Sequence, residues 1–565
     1  MMANAARDPL WRAKVSAEID VHPALQTIIE NKCTNCHAPM GHKQAHYEGA
    51  ESYSMAEMSD SPLALDGVSC TLCHQILSEN FDSDDSYSGG FAIRNNRQIY
   101  GPYQIPFAST MQRWVDYTPR YADYIDESAL CATCHTLFTP YVDDEGEIAG
   151  EFPEQVPYLE WQNSRFSGDG VSCQNCHMPR SNGSVVIASM PANRPALDPF
   201  WKHYFVGGNA FMLGQLGDNV DELELTASAA LFESTASRTL NNLRNDAIDL
   251  TATAEWVDGS LFVHAQVSNN QVGHKFPTGI PLRRLWLHLT AFDLDGEVVF
   301  ESGAWDENGE IIGLDEPYEP HYDFIDSSGQ TQIYEGIMHD IHFQQTFTLL
   351  RAAGFLKDNR LPPQGFTEDF EDYDVVAVVG DAVNDENFNR NGETRGTGSD
   401  RVSYHIPPAS SIEIELCYQS VMPAFLDSLM NFETEEAGIL REIMQDADNS
   451  PVIIASIQLD APSAVSDNRG NAPLEFSLQS VYPNPFNSTV EIEAQLNISG
   501  NIEVVILDLS GREVKRLYSG NISAGNHKFL WDGSDYGGLA SATGIYLVRL
   551  SSGGMACYRK VALIR

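Results

Sequence analysis

The chain has 565 residues, 42% of them apolar and 20% charged. That balance argues against wholesale disorder and leaves room for roughly three or four domains of about 100–200 residues. Seventy-nine acidic against 34 basic side chains give a formal charge of −45. Such a surface repels phosphate backbones and anionic lipid, which argues against nucleic-acid and membrane-surface roles, and no run of about 18 apolar residues reads as a membrane span.

The opening residues, Met-Met-Ala-Asn-Ala-Ala-Arg-Asp-Pro, lack a basic segment followed by an apolar one and do not read as a signal peptide. Residues 1 to about 205 are rich in loops, Pro and Gly. One helix is predicted near residues 14–31, where Ala24, Leu25, Ile28 and Ile29 share a face. From about 206 to 465 the texture changes. Leu261, Val263, Ala265 and Val267 alternate as in a strand, as do Leu285, Leu287 and Leu289, and again Ile412, Ile414 and Leu416. Asp293-Leu294-Asp295-Gly296 reads as a hairpin turn. A β-sandwich-like middle domain is expected, interrupted by helices near 347–357 and 424–445. Residues 461–473 read as a linker. Beyond it, 474–565 is expected to be an all-β module with strands near 490–496, 502–509, 528–531, 545–550 and 558–564. Turns are expected at Ser510-Gly511 and Asp532-Gly533.

Eight of the ten cysteines fall in four copies of Cys-x-x-Cys-His: Cys33–Cys36–His37, Cys70–Cys73–His74, Cys131–Cys134–His135 and Cys173–Cys176–His177. Composition alone gives roughly 0.005 copies by chance. This spacing lets two thiols form thioethers to the vinyl groups on one porphyrin edge while the adjacent His reaches the iron. Zinc is the alternative, since Cys-x-x-Cys with a nearby His also suits a tetrahedral site. Four motifs in so short a stretch leave little room for a conventional core, so four heme c groups would fill it.

The motif histidines His37, His74, His135 and His177 are the expected proximal ligands. For the distal positions the sequence nominates four more. His42 and His46 follow the first motif at i, i+4, His203 follows the fourth, and His274 lies in the loop Gly-His-Lys-Phe-Pro-Thr-Gly. His22, His339 and His342 stand in reserve; His264 and His288 read as packed strand residues. Arg283 and Arg284 are candidate partners for heme propionates, because guanidinium pairs bidentately with carboxylate. Asp385-Glu-Asn387-Phe-Asn389-Arg-Asn391-Gly392 resembles part of a calcium loop, though position twelve would not be Glu. Cys417 and Cys557 are left over, to pair or to remain separate thiols.

Residues 1–420 resemble the multiheme cytochrome c family, in particular the nitrification-type tetraheme group and its extracellular relatives. The resemblance rests on the four motifs with Glu-Asn-Lys-Cys-Thr-Asn-Cys-His-Ala-Pro-Met at 30–40, Asp-Gly-Val-Ser-Cys at 66–70, Phe-Val-Gly-Gly-Asn at 205–209, the 273–279 loop and Leu-Leu-Arg-Ala-Ala at 349–353. It implies axial ligation by His203 and His274. It also implies a possible further heme upstream of the present start, and in some relatives assembly into extracellular filaments. Residues 474–565 look like a type IX secretion sorting domain, an Ig-like β-sandwich. They do so through Tyr482-Pro483-Asn484-Pro485-Phe486-Asn487, Leu509-Ser510-Gly511-Arg512-Glu513-Val514, Trp531-Asp532-Gly533 and Gly544-Ile545-Tyr546. That implies export through the periplasm to the cell surface or medium.

The expected architecture is therefore a heme segment (1–205), a β-rich cap contributing a heme ligand (206–465) and a sorting-like sandwich (474–565). The expected function is extracellular electron transfer to a redox partner or external acceptor, with a homopolymer as an extension. The alternative is a multiheme oxidoreductase acting on nitrogen or sulfur oxyanions, which would need one iron with an open position.

Overall fold

A computed structural model describes residues 2–190, 194–257, 259–314, 318–461, 476–496, 499–508, 512–552 and 555–564. The chain forms two compact units, Met1–Pro462 and Ser463–Arg565. No helix among the described residues is long and apolar enough to cross a membrane.

The first unit begins with helices. Asp8 caps Pro9–Val21 by accepting from Leu10 N at 3.0 Å, and Pro9 suits the first turn. The single helix expected near 14–31 is in fact two. Pro23 disfavours helical backbone at His22, so the chain bends there and resumes as Gln26–His37. A third helix, Pro39–Tyr47, follows. The remaining motifs lie on the short helices Cys70–Cys73, Ser128–His135 and Cys173–His177.

The β-rich part of this unit is a sandwich. One sheet contains Asp249–Val257, Ser260–Ser268, Ser399–Ile406 and Phe324–Ile325. The other contains Ile333–Tyr334, Arg284–Phe292, Ser411–Gln419 and Val452–Asp460, with Val298–Ser302 added on Arg284–Phe292. The alternation read from the sequence is the inward face. Leu261, Val263, Ala265 and Val267 meet Leu285, Leu287, Leu289, Ile412, Ile414 and Leu416 in one buried cluster. On the outer face of the second sheet Trp286 and Cys417 pack with Ile311 and Ile333.

The two expected helical insertions come out differently. Residues 347–357 give only a turn of 3₁₀ helix, Leu349–Arg351, and then the strand Gly354–Asp358 paired with Gly336–His339. Pairing with a distant segment overrides local propensity there. Residues 424–445 split into Pro423–Met430 and Glu435–Met444, because Thr434 starts a new helix by accepting from Ala437 N. The N-terminal helices are tied into this same unit. Lys14 Nζ donates to Phe347 O at 2.7 Å, and Glu18 accepts from Leu349 N and Leu350 N.

The hairpin turn predicted at Asp293–Gly296 exists, and its chemistry recurs. At Asp143, Asp293, Asp306, Asp340 and Asp535 the carboxylate accepts from the backbone N–H groups two and four residues on. Glycines 146, 296, 309 and 538 supply the left-handed position; in the Asp340 loop Phe343 occupies it at φ 59°.

The second unit has two antiparallel sheets. One is Phe476–Tyr482, Val490–Leu496 and Gly525–Trp531; the other is Glu513–Ile522, Gly500–Leu507, Gly544–Ser552 and Met555–Leu563. All five expected strands have counterparts, and two, Phe476–Tyr482 and Glu513–Ile522, were not anticipated. The core forms around the fully buried Trp531 with Phe486 and Tyr546. Asn484 acts as a strand surrogate, donating to Lys560 O and accepting from Ala562 N. The Ser510-Gly511 turn and most of the expected linker lie outside the described residues.

Candidate functional site

Each motif ends a helix, so its His projects from a last turn. His37 stacks face to face on Trp11, with ring centres 4.4 Å apart and planes 4° off parallel. Its Nδ1 is shut away from solvent with no partner among the described residues. His74 and His177 share a different device. His74 Nδ1 donates to Tyr100 O at 2.6 Å while Tyr100 N donates to His74 O. His177 Nδ1 donates to Val206 O, and Val206 N returns a bond to His177 O. A carbonyl can only accept, so both rings carry their proton on Nδ1 and present a lone pair at Nε2. The fourth motif is pinned to the third: Cys173 N donates to Ser128 Oγ and Gln174 Nε2 to Glu127 O.

Two of the nominated distal histidines face motif histidines. His203 lies against His74 with ring centres 6.1 Å apart, and His274 against His177 at 6.3 Å. Two metal–nitrogen bonds of about 2 Å, plus about 1 Å from each nitrogen to its ring centre, put bis-imidazole centres roughly 6 Å apart. His274 Nδ1 donates to Lys275 O at 2.9 Å, again leaving Nε2 as the lone pair. Burial holds the His274 imidazole down to about 4, so it stays neutral and able to ligate at neutral pH.

His42 and His46 behave differently. They sit on Pro39–Tyr47 with ring centres 4.4 Å and Nε2 atoms 3.3 Å apart, and His42 Nε2 also meets Asn31 Oδ1 at 3.0 Å. The structure brings them to each other rather than to separate motif histidines. His135 is exposed and lies near His177 and Arg283.

The motif thiols cluster across motifs. Cys36 lies close to Cys134, and Cys131 close to Cys173. None of the ten cysteines is disulfide-bonded; Cys417 is buried and Cys557 half-buried. Zinc fits poorly by comparison. Among the described residues, the His/Cys/Asp/Glu groups close enough to share an ion are His288–Glu415–Cys417 and His321–Asp385–Asp400, and neither includes a motif cysteine.

Both groups are hydrogen-bonded within the protein. His288 has both ring nitrogens on carboxylates, Glu415 at 3.0 Å and Glu301 at 3.1 Å. His321 Nδ1 accepts from Gln332 Nε2 and Asn359 Nδ2. Those amides are oriented by Tyr322 N on Gln332 Oε1 and by Glu335 N and Ile333 O on Asn359. The His321 proton is thereby fixed on Nε2, facing Asp385 at 3.0 Å. In the 385–392 loop Asp385 is engaged by His321 and Asn387 N, Asn387 Oδ1 by Arg401, and Asn389 by Gly398 N and Phe366 O.

The arginine pair divides. Arg284 opens a strand and turns to the outer face of the second sheet beside Trp286, bonded to Gln419 Oε1, Gly309 O and Glu310. Those protein partners already take up its guanidinium. Arg283 donates to Thr278 O, keeps a buried Nε without a partner among the described residues, and lies near His135 and His274.

The sequence reading missed what holds His274. Lys275 Nζ pairs with Asp358 at 2.6 Å, Arg360 clasps Asp358 through two bonds of 2.7 Å, and Arg360 Nη2 is 3.4 Å from Glu160. All four side chains are buried. The one signal available was a lysine set inside a Gly/Pro-shaped loop. Trp11, Tyr100 and Val206 left no sequence signal, since two of them act through backbone carbonyls.

Comparison with known proteins is uneven along the chain. No curated protein matches it. The penta-heme cytochrome c552 from Thermochromatium tepidum is similar over 76% of this chain and 83% of its own, at 17% identity and a TM-score of 0.44. FlgD from Pseudomonas aeruginosa is similar over 16% of this chain and 67% of its own, at 25% identity and a TM-score of 0.12. PorZ of the Porphyromonas gingivalis type-IX secretion system is similar over 20% of this chain and 15% of its own, at 20% identity and a TM-score of 0.12. Residues 484–554 match the FlgD Ig-like domain family, so the chain is multidomain and carries an Ig-like domain near its C-terminus.

Proposed function

We propose that the chain is an electron-transfer protein holding four heme c groups. Thioethers from Cys33/Cys36, Cys70/Cys73, Cys131/Cys134 and Cys173/Cys176 would attach them, with His37, His74, His135 and His177 as proximal ligands. Heme supplies a one-electron iron couple. The residues here orient and shield it. The observation that carries the reading is the pairing of His74 with His203 and His177 with His274 at iron-bridging spacing, each motif ring locked with Nε2 free. Residues 1–205 serve as the heme segment and 206–465 as the cap that supplies His274. Arg283 would pair with a propionate. The clustering of thiols from the first, third and fourth motifs supports short paths between hemes.

The C-terminal sandwich, through the motifs quoted above, supports export to the cell surface or medium, where a redox protein or external acceptor would take the electrons. Assembly into a homopolymer with hemes in contact across subunits extends the same reading. The test is a pyridine hemochrome assay with EPR on the secreted protein: four hemes per chain and low-spin signals are expected, and zinc without heme would overturn the reading.

One observation favours a second reading, a multiheme oxidoreductase. His37 faces Trp11, and His42 and His46 face each other, so no nominated distal histidine stands across from His37 or His135. A high-spin signal from one heme, with turnover of a nitrogen or sulfur oxyanion, would decide for it.

A further inference from the structure

The loop 273–279 is held from beneath. Asn269 Nδ2 donates to His274 O at 2.8 Å, and Phe276 exchanges two backbone bonds with Leu361. Gly273 lies against Trp161, where an added Cβ would sit 3.1 Å from the indole. Glu160, the residue before Trp161, is the carboxylate that grips the loop. Its Oε2 accepts from Lys275 N at 3.1 Å and from Thr278 Oγ1 at 2.6 Å, so it binds the loop on both sides of Phe276. Its Oε1 makes no hydrogen bond among the described residues and faces Arg360 Nη2 at 3.4 Å.

The charges balance. Lys275 and Arg360 carry two positive charges, Glu160 and Asp358 two negative ones, and none of the four side chains is more than 6% exposed. Asp358 is saturated by both cations. Glu160 is the member whose carboxylate contacts the backbone next to His274. In a buried setting a fixed charge this close acts with little screening.

We propose that Glu160 is a positioning residue for His274, and that its charge lowers the reduction potential of the iron that His177 and His274 would share. A negative charge favours the ferric state, which carries one more positive charge than the ferrous. The inference rests on the electron-transfer reading above.

The test uses the full holoprotein. Glu160→Gln keeps an oxygen to accept from Lys275 N and Thr278 Oγ1 but removes the charge. One of the four reduction steps is expected to move to more positive potential while all hemes stay low-spin. Glu160→Ala releases the loop, and one heme is expected to become high-spin. Thr278→Val leaves the charge in place and removes one loop bond; the EPR g-values of one low-spin heme are expected to shift. Glu310→Gln, a carboxylate paired with Arg284, is expected to move none. Four unchanged steps in Glu160→Gln, or an equal shift in Glu310→Gln, would overturn the assignment. Should Glu160→Gln not fold, unchanged g-values in Thr278→Val would do so. A wild-type chain without heme would instead overturn the electron-transfer reading.

Discussion

Replacing Asp358 by Asn removes the one carboxylate that both buried cations beneath His274 share. Burial by itself would raise the Asp358 carboxyl, but the Arg360 guanidinium and the Lys275 ammonium outweigh it and hold it down to about 2, from the ordinary 3.8. At about 1.4 kcal/mol per unit this difference is worth roughly 2.5 kcal/mol of folding stability. Breaking a buried ion pair outright typically costs about 3–5 kcal/mol. Glu160 remains as a partner for Arg360, so the lower figure is expected. Because the folded carboxyl is depressed, its contribution is complete above about pH 4 and is lost as pH falls toward 2. Urea unfolding of the holoprotein, followed by far-UV circular dichroism at pH 7 and again between about pH 4 and 2, measures this. Wild type and Asp358→Asn should differ at pH 7 and converge in acid. Adding Lys275→Met, which restores charge balance, should recover part of the loss. A difference under about 0.5 kcal/mol at pH 7, or one that does not shrink in acid, would refute the reasoning.

Four further outcomes are expected. His203→Ala should turn one heme high-spin in EPR, since His203 alone faces His74 at iron-bridging distance. Arg283→Gln should shift one reduction step with little change in unfolding midpoint, whereas Arg284→Gln, removing bonds to Gln419 and Gly309, should do the reverse. Gly309→Ala should destabilise more than Gly296→Ala in urea. Both pay about 1–2 kcal/mol for left-handed backbone, but only at Gly309 would the methyl lie 2.2 Å from Asn449 O. Burial pushes Asp400 up to about 6, so its native carboxyl keeps a proton that the unfolded one loses; stability should fall from pH 4 to 6 in wild type and less in Asp400→Asn.

The parts of the fold legible in the sequence are those whose period is written locally. Leu261 to Val267 and Leu285 to Leu289 alternate because one face of each strand is core, and Asp293–Gly296 is a turn because its own carboxylate makes it one. The helix break at His22-Pro23 was equally local, and proline was the signal. The strand Gly354–Asp358 was not legible, since its partner Gly336–His339 and the ion partners of Lys357 and Asp358 come from elsewhere in the chain. At the site, the motifs announce themselves by spacing. That His203 belongs beside His74 and His274 beside His177 depends on packing, and so does the separation of Arg283 from Arg284.

The paired charges under the 273–279 loop bear on speed as well as on potential. When an electron arrives at a centre, surrounding dipoles must turn, and that reorganisation sets much of the barrier. Lys275, Asp358, Arg360 and Glu160 are each tethered by short bonds and closed to water. On the electron-transfer reading, the iron at His177 and His274 would sit on charges already fixed in place, with little left to rearrange.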